Sequence, residues 1–254
     1  MTLFDADRPL RVVVFFSGSA SGFRYLATND DRYGDDYRVV GGFTDDPDCP
    51  GVDHLENHGV PVESTDIEAF YAERNADTGD MGVREDFDDR TASLVEDFDA
   101  DLVLLSGYMW ILTDPIVGSY PVVNVHPADL TVEDENGDRV YVGADPVYDA
   151  IVAGEAETRS SVHAVTADVD AGPVIVRSKP FEVHRSLADS LIEFGAEDAL
   201  RAYVDAHQEW MKWEGDGPAI ARALQLIATG RVELDGETAL IDGDPGPYDL
   251  DETR

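Results

Sequence analysis

Two polar residues interrupt the apolar run PVVNVHPADL: Asn124 and His126, separated by one valine and followed at once by Pro127. In an extended chain side chains alternate, so the amide and the imidazole share one face. Proline cannot donate to a sheet ladder, so the pair arrives where the strand ends. An amide NH2 beside an imidazole can hold a developing oxyanion and move a proton. A third group comes from SSVHAVTADVDAGPVIV, where the loop TADVDAG between two apolar runs brings Asp168 and Asp170 to a sheet edge. A carboxylate facing His126 favours the imidazolium and raises its pKa. His163, on the strand before that loop, lies in the core or behind the site. Residue type alone equally admits a turn-forming Asn, a structural His with satisfied hydrogen bonds and solvated loop aspartates. The remaining stretch with chemical potential is SGSASG, residues 17–22, between a strand and a helix. Free backbone N–H groups and a positive helix end suit a phosphate or carboxylate there. It has neither the lysine of a P-loop nor a GxGxxG spacing, so a plain tight turn explains it as well.

These groups need a sheet to position them. RVVVFF, residues 11–16, is continuously apolar and predicts a strand buried on both faces of a parallel sheet. YRVVGGF, GVPVE, DLVLLSG, YPVVNV, RSSVHAVTA and GPVIVRSKPFEV predict further strands, separated by helical stretches. The alternation predicts the α/β class: a Rossmann-like, doubly wound, mostly parallel sheet flanked by helices. Between residues 64 and 90 the chain is polar, and NADTGDMG reads as a flexible excursion before a helix from about Glu85 to Phe98. EDENGDR, residues 133–139, reads as an exposed charged turn. Leu187, Leu191, Phe194, Leu200 and Val204 predict one long amphipathic helix to about Gln208. Residues 1–208 then form the main domain. Residues 209–254 form a small C-terminal extension, a helix plus a hairpin at Asp235-Gly236, packed on it through Trp210, Met211 and Trp213.

A chain of 254 residues, 43% apolar, can bury a substantial core. Its 54 acidic residues against 18 Lys plus Arg give a formal charge of −36, which argues against nucleic acid or an anionic membrane as partner. The acids are spread along the whole chain, as adaptation to high salt would have them. The single cysteine, Cys49, excludes an internal disulfide and a cysteine-based metal cluster. His54, His58, His184 and His207 fall in no metal-ligand pattern and read as surface or interface residues, so no metal is expected. MTLFDADRPL is no signal peptide and no segment approaches a membrane span, so a soluble cytoplasmic protein is expected.

In combination, SGSASGF, DLVLLSGYMWIL, NVHPADL and DPVYDAIVAGEAETRSSVHAVTADVDAGPVI resemble the folate-dependent formyltransferase family over roughly residues 10 to 205. The resemblance implies that Asn124, His126 and Asp170 are catalytic and that Gly18, Ser19 and Ala20 grip the substrate's phosphate. It implies a folate pocket built from Met109, Trp110, Ile111 and Leu112 together with Ala167, Asp168, Val169 and Ala171. It implies that Arg84 contacts the folate's acidic tail and that Glu197 binds substrate. The activity implied is formyl transfer from 10-formyltetrahydrofolate, as co-substrate and without a metal, to the amine of glycinamide ribonucleotide in purine biosynthesis. The alternatives are another small-molecule amine such as a sugar nucleotide, methionyl-tRNA, water as in a formyltetrahydrofolate hydrolase, or a silent folate-binding protein. The tRNA version is disfavoured by the acidic charge, and a homodimer is one of the assemblies the C-terminal segment permits. Three departures from the family pattern stand out. SGSASG replaces SGxGSN, Trp110 stands where arginine is usual, and the short loop opening HPSLLP becomes HPADLTVEDENGDRVYVG, an insertion beside the site that bears on which amine is accepted.

Overall fold

The apolar run 11–16 forms strand β1 (Leu10–Phe16), and its side chains from Val12 to Phe16 are all buried, as a strand covered on both faces requires. The structure is a computed structural model that describes residues 2–5 and 7–250. Residues 1 and 6, and residues 251–254 at the end of the expected extension, lie outside the described residues.

After β1 come α1 (Ser21–Asn29), β2 (Tyr37–Thr44), α2 (Pro50–Glu56), β3 (Val62–Ser64), α3 (Ile67–Arg74) and α4 (Met81–Val95). They are followed by β4 (Leu102–Leu105), the single turn α5 (Asp114–Val117), β5 (Val122–His126), α6 (Pro146–Ala153) and β6 (Glu157–Thr158). The remainder comprises β7 (Ser161–Ala164), β8 (Val174–Arg177), β9 (Phe181–Glu182), α7 (Arg185–Glu193), α8 (Glu197–Met211), a π-helical turn Lys212–Asp216 and α9 (Gly217–Ala228). Four short strands close the described chain: β10 (Val232–Asp235), β11 (Thr238–Ile241), β12 (Asp244–Pro245) and β13 (Tyr248–Asp249).

Eight strands make one sheet in the order β13-β8-β7-β5-β4-β1-β2-β3. Every neighbouring pair is parallel except those of β7, which runs antiparallel to β5 and β8. The chain winds from β1 to β2 and β3 on one side, then to β4 and β5 on the other. The switch point therefore falls between the carboxyl ends of β1 and β4, where open α/β sheets bind ligands. Alternation along β1 splits the core: Val12, Val14 and Phe16 pack with α1, α2 and α9, while Val13 and Phe15 pack with α3 and α4. Each such side chain contributes roughly 1.5–3 kcal/mol on burial.

Four details differ from the sequence expectation. The long helix is broken into α7 and α8, because Gly195 takes a left-handed φ of +62° that ends α7, and Phe194 is left 82% exposed. Part of the polar stretch forms α3, started by Asp66, whose carboxylate accepts from Ala69 N–H at 2.9 Å. His207 is buried rather than at the surface, its Nε2 2.7 Å from Thr158 Oγ1. In the C-terminal segment, α9 buries Ala219, Ile220, Ala223, Leu224 and Ile227 against the sheet, and β13 extends that sheet beside β8. The Asp235-Gly236 hairpin forms between β10 and β11, with Gly236 at φ +59°.

Candidate active site

A cavity of about 570 Å³ opens at the carboxyl edge of β1, β4 and β5, of a size for small-molecule ligands. Two loops frame its floor and are tied together by Asp45, at the end of β2. Ser17 Oγ donates to Asp45 Oδ1 at 2.5 Å and accepts from Met109 N–H, while Trp110 Nε1–H donates to Asp45 Oδ2 at 2.9 Å. The 17–22 loop carries Gly18, Ser19, Ala20 and Ser21 to the cavity wall. Helix α1 starts there with no side-chain cap from Ala20; Gly22 N–H is taken by Ser106 Oγ, and the positive end of the helix still favours an anion at the loop. Ala20 is left-handed at φ 48°, the conformation a glycine takes without strain. Gly22 has a different reason to be glycine: a Cβ there would lie 2.4 Å from Ser106 Oγ, which accepts the Gly22 N–H.

The antiparallel pairing of β5 with β7 sets Asn124 opposite His163. His163 Nδ1 lies 2.9 Å from its neighbour's carbonyl, Ala164 O, and therefore donates to it. Its Nε2 is then the acceptor for Asn124 Nδ2 at 3.2 Å, which fixes the amide orientation and leaves its second proton for a ligand. His126 Nε2–H donates to Tyr141 O at 2.9 Å, and its Nδ1 lies 3.5 Å from Asp170 Oδ2. Asp170 Oδ1 is 3.5 Å from His163 Nε2, so the carboxylate bridges the two imidazoles. Asp170 approaches because Gly172 passes so close to β7 that a Cβ on it would sit 1.8 Å from Ala164 O. The sequence expectation that Asp170 keeps His126 charged is corrected here. Burial outweighs the attraction of Asp170 and holds the His126 pKa below its ordinary value, so the ring is neutral at neutral pH. The Asp170 carboxyl stays below its usual range: burial pushes it up, but the attraction of His126 and the hydrogen bond from Gly143 N–H prevail.

Of the residues expected at the site, Asn124, His126, Asp170, Gly18, Ser19, Ala20, Met109, Trp110, Ile111, Leu112, Ala167, Asp168 and Val169 all line the cavity. Three are placed elsewhere. Arg84 is 2% exposed behind the 108–112 segment, where it binds Asp88, Tyr108 Oη and Ile111 O instead of meeting a ligand's tail. Glu197 stands at the start of α8, outside the cavity lining, where it accepts from Tyr148 Oη and pairs with Arg201. Ala171 is exposed and also outside that lining, because the chain turns away after Asp170 toward β8. Sequence reasoning missed Gln208, Lys212 and Asp216, which reach the cavity from the end of α8 and the π-helical turn. Asp216 is hydrogen-bonded by Ser160 Oγ, and burial pushes its carboxyl up to about 6. Its signal, an acid between glycines in WEGDGP ahead of an apolar helix, is lost among 54 acidic residues.

The model of the family described as "Formyl transferase" matches residues 10–206. The formyltetrahydrofolate deformylase of Bacillus subtilis (strain 168) is 29% identical over 136 residues, 53% of this chain and 41% of that protein. The trifunctional purine biosynthetic protein adenosine-3 of Gallus gallus is 25% identical over 91% of this chain, which spans only 20% of that protein. The phosphoribosylglycinamide formyltransferase of Escherichia coli (strain K12) is 26% identical over 96% of this chain and 100% of its own length. Among solved structures, the phosphoribosylglycinamide formyltransferase of Coxiella burnetii in complex with CHES superposes with a TM-score of 0.69 at 22% identity, covering 95% of this chain and 99% of that one. That likeness shows the fold.

Proposed function

The chain belongs to the formyl transferase family, and we propose that it moves a formyl group from 10-formyltetrahydrofolate to the amine of glycinamide ribonucleotide. One observation carries this reading: a single cavity joins Asn124, His126 and Asp170 to an end built for an anionic, hydroxylated acceptor. That end has the positive start of α1 behind Gly18–Ser21, with Lys212 and Asp216 on the same cavity. Amides and an ammonium suit a phosphate, and a carboxylate suits ribose hydroxyls or an amine. Water as acceptor would use none of them.

The other end fits a flat heterocycle. Trp110 stacks on Tyr71 with an interplanar angle of 19°, and Met109, Ile111 and Val169 expose apolar surface at the cavity. When bound there, 10-formyltetrahydrofolate supplies the activated formyl carbon. The acceptor nitrogen bonds to that carbon, the carbon's bond to the folate nitrogen breaks, and one proton passes between the two nitrogens. Asn124 Nδ2 donates its free proton to the formyl oxygen as charge collects on it, a contribution of about 10²–10³ in rate for one preorganised donor. Neutral His126 takes the amine proton and returns it to the departing nitrogen. Asp170, ionised and 3.5 Å away, stabilises the transient imidazolium.

The deformylase relatives supply the second reading, in which water takes the formyl group. Protein given 10-formyltetrahydrofolate with glycinamide ribonucleotide, with a panel of amino sugars, or with water alone separates the two. Release of tetrahydrofolate that requires glycinamide ribonucleotide supports the proposal. Equal release in water alone, or release that requires another amine, overturns it.

A further inference from the structure

The segment after His126 supplies partners to both central groups of the site. Its first part is a tight hairpin: Glu133 bridges to Arg139, and Asp134 N–H donates to Asp138 O at 2.8 Å. The Asp134 carboxylate accepts from the N–H groups of Asn136 and Asp138, and Gly137 turns the chain at φ +86°. This hairpin is the exposed charged turn expected from EDENGDR, except that its last residue, Arg139, turns inward and is partly buried. From there the guanidinium Nη1 donates to the backbone carbonyl of Asp170. Four residues on, Gly143 N–H donates to the Asp170 carboxylate at 2.9 Å, and between them Tyr141 O receives the His126 proton. Asp170 itself has φ +53°, in the left-handed region that aspartate enters more readily than most residues but that still needs local partners to hold it.

We propose that Arg139 is a positioning residue: by holding the Asp170 carbonyl it locks the left-handed backbone that aims the Asp170 carboxylate between His126 and His163. The inserted hairpin thereby becomes part of the catalytic apparatus. A cation spent on a carbonyl is informative in a chain with 18 Lys plus Arg against 54 acids. The carboxylates of Glu133 and Glu237 act on Arg139 electrostatically, yet the hydrogen bond goes to the Asp170 main chain. The consequence for catalysis rests on the proposed role of Asp170; the consequence for geometry does not.

Two readouts separate them. The His126 ring resonances are titrated by NMR in the wild type, Arg139→Ala, Arg139→Met and Arg139→Gln, and kcat and KM are measured with whichever acceptor the wild type uses. The groups facing His126 and Asp170 are each other, His163 and Arg139, and Arg139 in turn faces Glu133 and Glu237. Loss of the guanidinium charge by itself raises the His126 titration, and does so in all three variants. Where the donor is lost as well, in Ala and Met, the carboxylate drifts from the imidazole, so their His126 titration lies below that of Gln and kcat falls by about tenfold or more, with KM changed far less. Gln, which keeps a donor without the charge, restores most of kcat. Met, which keeps the apolar stem, replaces Ala in the comparison if Ala does not fold. A His126 titration in the folded Ala or Met variant that matches that of Gln, together with a wild-type kcat, overturns the proposal. If the wild type turns over no acceptor, the functional reading fails, and the NMR titration alone still decides the positioning.

Discussion

Gly172→Ala tests whether the loop that carries Asp170 is placed by close backbone approach. Gly172 does not occupy the left-handed region, so the substitution brings no φ strain. Its added Cβ would lie 1.8 Å from the carbonyl oxygen of Ala164 and 2.8 Å from that residue's carbonyl carbon. Both are backbone atoms of β7, and Ala164 N–H is itself bonded to Pro173 O at 2.9 Å. No rotamer relieves the contact, so the loop must shift by more than about 1 Å to reach ordinary separation. Overpacking of this kind costs about 1–3 kcal/mol, and contact with rigid backbone places the expected value near the upper end. At roughly 2–4 °C per kcal/mol for a chain near this size, Tm falls by about 6–12 °C. The same displacement carries Asp170 away from His126, and a 1 Å misplacement costs on the order of 10² in rate. Differential scanning calorimetry and kcat at saturating substrates, on one preparation, check both effects. A variant that keeps the wild-type Tm and kcat refutes the argument that this close approach aims Asp170.

Asn124→Ala removes the one amide donor held by His163, and kcat is expected to fall about 10²–10³-fold in steady-state assays with the fold unchanged by circular dichroism. A base must be unprotonated to act and the His126 pKa of the free protein lies below its ordinary value of 6.5, so kcat/KM rises with pH through a midpoint below that value and is level at neutral pH. His126→Ala abolishes that limb along with most of the rate. Asp216→Asn removes a carboxyl that burial raises to about 6 from 3.8. The native state binds that proton more tightly than the unfolded chain, so its stabilising effect is complete below about pH 4 and is lost as pH rises through 6. A gap of that size corresponds to at most about 3 kcal/mol at pH 7. Denaturant unfolding should therefore find the Asn variant more stable than wild type at pH 7 and not below pH 4, while its acceptor KM rises.

Much of the site was legible in the sequence. Period-two alternation put Asn124 and His126 on one strand face, the continuous run 11–16 required a sheet covered on both sides, and the loop TADVDAG had to bring Asp170 to the strand ends. These follow from local geometry and from where apolar residues must go. What the sequence could not carry was distance and dielectric. Whether His126 is charged depends on burial working against one carboxylate, and burial belongs to the assembled fold. Arg84 has the chemistry to bind an acidic tail, and only packing turns it inward onto Asp88. Glu197 and Asp216 are both acids near helix starts; the break at Gly195 and the π-helical turn decide that the second, and not the first, reaches the cavity. Arg139 closes a surface turn by composition, and becomes a neighbour of Asp170 only because the hairpin folds back over the sheet edge. The chain thus determined by itself which elements form and which residues meet at a strand end, because those depend on short-range periodicity. Tertiary structure decided protonation, orientation and the partners from distant segments, because each is set by groups that only packing brings together.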